Sequence, residues 1–209
     1  IENILVAAAH LDMKVTMNWA PDLSACASTT GDDRIRVATL RLDPGESGDR
    51  DRAPLFPAIA DRHTNHEAFE NRPIPSRVLS TLEEYTGDHT RLWLTDDESI
   101  RASVYKMMAR ANAMQFVDRE WREELAECIG EGAFGTPWLM SKIGQLAVTH
   151  LDLSDATTAK DRERMDSAPV LAALATDADT PKAQVQAGQA LERIWLAATL
   201  RGLQLQPMN

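Results

Sequence analysis

Apolar residues at Ile1, Ile4, Leu5, Ala8 and Leu11 recur with the period of a helix, and from Lys14 the pattern changes to alternation, with Val15, Met17 and Trp19 on one side. The opening of the chain therefore predicts a helix that leads into a half-buried strand. A second strand is predicted over residues 34–42, and the charged, turn-rich stretch 44–52 that follows marks a candidate domain boundary. Residues 54–60 begin another helix, which breaks at Arg62. Pro75 suits the first turn of the next helix, whose buried stripe is Val78, Leu79 and Leu82. Residues 91–95 read as a short strand between Gly87 and the pair Asp96-Asp97.

Helical periodicity resumes at Asp97 with Ile100, Val104, Met107, Met108, Ala111 and Met114, and Asp118 is placed to cap a further helix carrying Trp121, Leu125 and Cys128. The methionines read most simply as core filler, with a malleable binding surface as the alternative. Residues 130–166 mix glycines with a highly charged run at 160–166, which predicts a surface excursion or lid. Residues 168–176 predict a buried strand entered through Pro169. Thr180-Pro181 then opens a long helix to Leu200, stopped by Gly202, and residues 203–206 would lead back into the sheet. Ala183, Ala187, Gly188, Ala190, Ala197 and Ala198 allow close approach by neighbours, so this last helix is expected at the centre of the fold.

At 209 residues and 44% hydrophobic, the chain can bury a sizeable core in one large domain, or in a domain with part of another. Its 22 basic and 32 acidic residues give a net charge of −10, which argues against a broad phosphate-tracking surface for nucleic acid. Any anion site must be local. Cys26 and Cys128 lie far apart in no metal-ligand spacing, which suggests neither a disulfide framework nor zinc and fits a reducing, cytoplasmic compartment. No apolar run approaches the roughly 18 to 20 residues of a membrane span, so no membrane partner is expected. Ile1 is not a methionine and sits inside a helical pattern, so further sequence is expected ahead of it.

Several apparent motifs are better read as structure. The run Gly130-Glu131-Gly132-Ala133-Phe134-Gly135 has the spacing of a dinucleotide loop but follows a predicted helix, and Glu131 would repel a pyrophosphate. His63 and His66, with Asp61 and Glu67, lack further ligands at useful spacing, so no metal is expected. Acid pairs such as Glu83-Glu84, Asp96-Asp97 and Glu123-Glu124 read as solvated faces or caps, and Trp93, Trp121, Trp138 and Trp195 read as core. No nucleophile motif occurs, so hydrolase chemistry lacks support and any chemistry needs a cofactor. The local anion site is nominated by Arg62 and Thr64: a guanidinium can pair bidentately with a phosphate while a hydroxyl two residues on donates one more bond.

The segment 55–82, with Arg62-His63-Thr64-Asn65 and Phe69-Glu70-Asn71-Arg72-Pro73-Ile74-Pro75, resembles the opening of nitroreductase-type flavoproteins. A second stretch, Ala168-Pro169-Val170-Leu171 followed by residues 187–203 and Pro207-Met208-Asn209, resembles the core helix and following strand of the same superfamily. Together they look like the tandem, single-chain (Acg-like) branch, in which two related halves mimic the usual homodimer. The resemblance implies an α+β fold, a three-layer α-β-α arrangement with a mixed, largely antiparallel central sheet. Residues 1–50 would be the C-terminal part of a first half and residues 51–209 the second half, forming a pseudo-dimer within one chain or a homodimer.

In function, the resemblance implies non-covalent FMN, reduction by NADH or NADPH, and a nitroaromatic or quinone-like electron acceptor. Arg62 and Thr64 match the positions that bind the flavin phosphate. His66 stands where relatives carry a second arginine, a departure that weakens the anion site or makes it pH-dependent. Pro207, Met208 and Asn209 match the turn beside the flavin ring, where Met208 or Asn209 must supply the backbone N–H because proline has none. No side chain is assigned as a catalytic acid or base. Two alternatives stand beside this reading: a non-catalytic flavin storage protein on the same scaffold, and a flavin-free interaction module.

Overall fold

The structure, a computed structural model, describes residues 1–20, 36–45, 49–70, 72–131, 138–150 and 154–208. In chain order, its first elements are α1 (Glu2–His10), β1 (Met13–Trp19), β2 (Ala38–Pro44), a 3-10 turn (Ala53–Leu55), α2 (Ala58–Asp61) and α3 (Ser76–Glu83). There follow β3 (Thr90–Thr95), α4 (Glu98–Val117), α5 (Arg119–Gly130), α6 (Trp138–His150), α7 (Ser154–Ser167), β4 (Leu171–Thr176) and α8 (Pro181–Thr199). The chain is thus mixed α+β. Its contacts divide it into two compact units, one made of Ile1–His66, Pro73–Leu94 and Ala172–Asn209, the other of Glu67–Arg72 and Thr95–Leu171.

In the first unit, the predicted change of period is realised at Asp12, whose φ of +51° reverses the chain between α1 and β1, a conformation that Asp tolerates better than most residues. Residues Met13, Val15, Met17 and Trp19 of β1 are half-buried while those between them are exposed. This strand pairs antiparallel with β2, Met13 opposite Pro44 and Trp19 opposite Ala38. A second two-stranded sheet joins β3 to β4, and an isolated parallel bridge joins Thr64 to Leu205. Among the described residues the strands therefore form two small sheets and a bridge, where the resemblance implies one central sheet.

Helix α8 is the centre of this unit. Thr180 caps it by accepting from the N–H of Ala183, and Pro181 occupies the first turn, where its missing N–H costs no hydrogen bond. Five successive residues from Ile194 to Ala198 are buried. That span exceeds one helical turn, so this half of the helix is covered on every side. Val6 of α1, Leu55 of the 3-10 turn, Ala58 of α2 and Leu82 of α3 close around it, with Ile194, Leu196, Ala197 and Ala198 as its own contribution. Gly202 ends the segment at φ +70°, the left-handed conformation that follows many helices.

The second unit carries the four helices α4 to α7. Asp97 and Asp118 cap α4 and α5 through backbone N–H groups two and three residues on. The interval 130–166 is not an irregular excursion: its described residues form α6 and α7, which pack on α5 and α4. The charged run lies on α7, which is held by polar contacts as well as by buried Met165. Asn112 of α4 donates to Thr158 Oγ1 at 3.2 Å and Asp161 Oδ2 at 3.1 Å on α7, and Arg101 Nη1 donates to the carbonyl of Met165 at 2.8 Å. Hydrophobic periodicity does not register such a seam.

Three further expectations are corrected. Met107 and Met114 are exposed rather than core, because α4 turns Arg101, Val104, Tyr105, Met108, Asn112 and Phe116 inward. Strand β4 is half-buried at Leu171, Leu174 and Thr176 and exposed between, so it is a partly covered strand and not a buried one. Trp93 is exposed on β3, whereas Trp195 is buried in the core as expected and Trp121 is half-buried against Phe116, ring centroids 5.2 Å apart. The side chain of Trp138, residues 132–135 of the glycine motif and Cys26 lie outside the described residues.

Candidate functional site

Helix α2 ends at Asp61 and the chain becomes extended, Arg62 having φ −66° and ψ 121°. In an extended segment, residues two apart project to the same side, so Arg62 and Thr64 share a face. That side is fixed by the end of the chain: Thr64 bridges Leu205 in parallel, the N–H of Asn65 donates to the Leu205 carbonyl at 3.0 Å, and Leu205 packs against the core around α8. Sequence positions more than 140 apart are thereby brought side by side. The helix-to-strand break makes this possible, because it frees backbone N–H groups to pair with a neighbouring strand.

Arg62 turns toward α8. Its guanidinium carbon lies 4.6 Å from the centroid of a Trp195 ring, within cation-π distance, and its Nε is 3.1 Å from Glu192 Oε1. The ion pair is close but out of line for a hydrogen bond, and both atoms are buried without a hydrogen-bond partner. Glu192 and Trp195 are three residues apart on one face of α8, so a single helical turn supplies both contacts. Aromatic ring and carboxylate together hold the plane of the guanidinium, and no described group bonds to Nη1, Nη2 or the Thr64 hydroxyl.

Such a planar fork suits an anion that accepts two hydrogen bonds from it, as phosphate does, approached along its Nη edge. Glu192 on the opposite edge offsets part of the positive charge, so affinity rests on hydrogen-bond geometry more than on net charge. Gln206, next to Leu205, adds another buried acceptor without a partner at Oε1, while its Nε2 donates to the carbonyl of Pro207 at 3.3 Å. Gln206 Oε1 is an acceptor and calls for a donor rather than a phosphate oxygen, so only the Nη edge of Arg62 and the Thr64 hydroxyl are left to face an anion.

Of the other expected residues, His66 is exposed two positions beyond Thr64, Pro207 is half-buried and Met208 exposed at the end of the terminal segment. Asn209 lies outside the described residues. His63 is exposed, with Nδ1 2.8 Å from the carbonyl of Asp61. Among the described residues no three His, Cys, Asp or Glu side chains converge as a metal site. An open hollow of about 390 Å³ lies elsewhere on the same unit, at the β4–α8 turn, with Asp177 and Asp179 on its rim and Leu174 and Ala187 in its lining. Its acidic rim is the wrong sign for phosphate.

Sequence reading missed Glu192, Trp195 and Gln206 as parts of this corner. Their spacing on α8 was visible, yet only the Thr64–Leu205 bridge shows that α8 and its following strand meet Arg62. Compared with family models, with curated proteins and with solved structures, the chain matches none.

Proposed function

We propose that this chain is the flavin-holding part of an FMN-dependent NAD(P)H oxidoreductase of the nitroreductase type, acting on nitroaromatic or quinone-like acceptors. The observation that carries the reading is the orientation of Arg62: a guanidinium fixed by Glu192 and Trp195, with its Nη edge unpaired beside Thr64 and the terminal segment. Arg62 and Thr64 would hold the FMN phosphate, which carries roughly −1.5 to −2 charges near neutral pH. Pro207, Met208 and Asn209 would run beside the ring, with a backbone N–H of Met208 or Asn209 directed at it. Bound flavin would supply hydride acceptance and electron transfer, and Arg62 and Thr64 would orient it.

The test compares FMN with riboflavin, which lacks the phosphate, by quenching of flavin fluorescence on titration with the protein. FMN binds more tightly than riboflavin if Arg62 grips the phosphate. Arg62→Ala then weakens FMN about ten- to a hundredfold, the value of one or two charge-assisted hydrogen bonds, and leaves riboflavin nearly unchanged. Equal binding of the two flavins, or no uptake of either, overturns the assignment and favours a flavin-free interaction module. Anaerobic addition of NADH and NADPH to the loaded protein then separates enzyme from store: bleaching of the yellow absorbance supports the reductase, and its absence leaves a protein that only holds flavin.

A further inference from the structure

Strand β4 has an edge that no described strand pairs. Its sheet contains two strands, so β3 takes one side of β4 and the backbone groups of the other side have no strand partner among the described residues. Sheet edges are ordinarily blunted by a charged side chain, a proline or a bulge. The sequence of β4, Leu-Ala-Ala-Leu-Ala-Thr, has no charge and no proline, and Ala172, Ala173 and Ala175 are exposed.

The hollow of about 390 Å³ lies along this edge. Leu174, Ala175 and Thr176 all line it, and successive side chains of a strand point to opposite faces. A hollow that meets three in a row therefore runs beside the strand, on the side that β3 leaves open. Its far wall is α8, through Gln184 and Ala187, and beyond Thr176 its rim is acidic at Asp177 and Asp179. These carboxylates are held in place. Thr176 Oγ1 donates to the carbonyl of Ala178 at 2.8 Å, which fixes the turn, and Gln184 Nε2 donates to Asp179 Oδ1 at 3.2 Å, leaving Oδ2. Asp177 faces His89 Nδ1 at 3.6 Å, longer than a hydrogen bond. Among the described residues no lysine or arginine lines the hollow; Lys182, in the first turn of α8, lies over Trp19 instead.

We propose that β4 takes up an extended, basic peptide of another protein as a third strand of the β3–β4 sheet. An apolar side chain of the peptide fills the hollow beside Leu174 and Ala187, and a lysine or arginine meets Asp177 and Asp179. In strand addition, main-chain hydrogen bonds give the affinity and the pockets select the side chains. A second copy of this chain fits the edge poorly. Two β4 strands paired antiparallel bring Ala168, Pro169 and Val170 beside the acidic end, two paired parallel bring Asp177 to Asp177, and neither supplies a cation. The net charge of −10 likewise repels a like chain and draws a basic one. Flavin plays no part in this contact.

A phage-displayed library of random heptapeptides, panned on the 209-residue chain at low salt, supplies the probes; seven extended residues span roughly 20 Å, enough for the whole of β4. Enriched sequences should alternate apolar with polar residues and carry Lys or Arg near one end. Labelled for fluorescence anisotropy, they should bind in the micromolar range, as expected of a contact below the standard interface size. Asp177→Asn/Asp179→Asn should weaken them about three- to tenfold and remove most of their sensitivity to salt. Backbone pairing is read on the peptide, where no variant can unfold the protein. Only alternate N–H groups of a strand face a given neighbour, so N-methylation of every second residue should abolish binding in one frame and leave it largely unchanged in the other. No enrichment, equal effects in the two frames, or selection of Asp and Glu in place of Lys and Arg overturns the proposal. A dimer in sedimentation that the peptides dissociate would give the edge to a second copy and overturn it as well.

Discussion

Glu2 and Arg62 show opposite ways of holding a charge in the fold. Glu2 is buried, and its two oxygens accept from Arg52 Nε at 2.7 Å, Arg193 Nη1 at 3.0 Å and Gln189 Nε2 at 3.2 Å. Arg193 in turn donates from Nε to the carbonyl of Tyr85 and from Nη2 to that of Thr86, and Arg52 also pairs with Asp49. Gly87 lets the loop pass at φ +83°, where an added Cβ would sit 3.2 Å from Arg193 Nη2. All three nitrogens of the Arg193 guanidinium are used, so the group is a structural tie between α1, the α3–β3 loop and α8. Removing its carboxylate takes the only counter-charge shown from Arg193 and one of two from Arg52. Glu2→Ala should therefore destabilise the protein by about 3 kcal/mol or more, read as a lowered midpoint of urea unfolding. A midpoint unchanged from the parent chain would show that water reaches these arginines. Arg62, by contrast, keeps its Nη groups unpaired, and that difference separates a candidate binding cation from a structural one. In sequence the two roles look alike, because Glu2 is one polar residue in an apolar helical stripe and its partners lie between 50 and 191 positions away.

At the scale of elements, what was legible depended on whether the determinant was local. The caps at Asp97, Asp118 and Thr180, the stop at Gly202 and the alternation in β1 are short-range signals, and each appears where it was expected. The inward face of α4 was not legible, because apolar residues occupy more than half its circumference and the choice falls to Arg101 and Asn112 bonding α7. The site divides in the same way: Arg62 and Thr64 were visible as a local pair, whereas Glu192, Trp195 and Gln206 required the bridge to Leu205. One cap makes a prediction in pH. The Asp97 carboxyl is held below its ordinary value of 3.8, first by the Ser99 hydroxyl and then by the N–H groups of Ile100 and Ser99. A depressed carboxylate stabilises the fold above the unfolded value and ceases to do so as pH falls through the folded one. The Ser99 and Ile100 amides should thus hold constant chemical shifts from neutral pH down to about pH 5 and lose their cap only below the ordinary range. A change centred between about pH 5 and 7 would mean that another group governs the start of α4.

For the whole molecule, the division into two compact units keeps the candidate site within one of them. Arg62, Thr64, Glu192, Trp195 and Gln206 all belong to the first unit, so the corner is built by α8 and the terminal segment of that unit alone. A ligand that binds the native chain and not the unfolded one adds to its stability, and FMN at about a hundred times its dissociation constant should add about 2.7 kcal/mol, read by urea unfolding. Arg62→Ala, which weakens FMN about ten- to a hundredfold, should lose about 1.3 to 2.3 kcal/mol of that gain at the same FMN concentration. Riboflavin has no phosphate for Arg62 to grip, so its smaller effect should be the same in both proteins. A gain from FMN that survives Arg62→Ala undiminished would mean that the phosphate sits elsewhere on the chain.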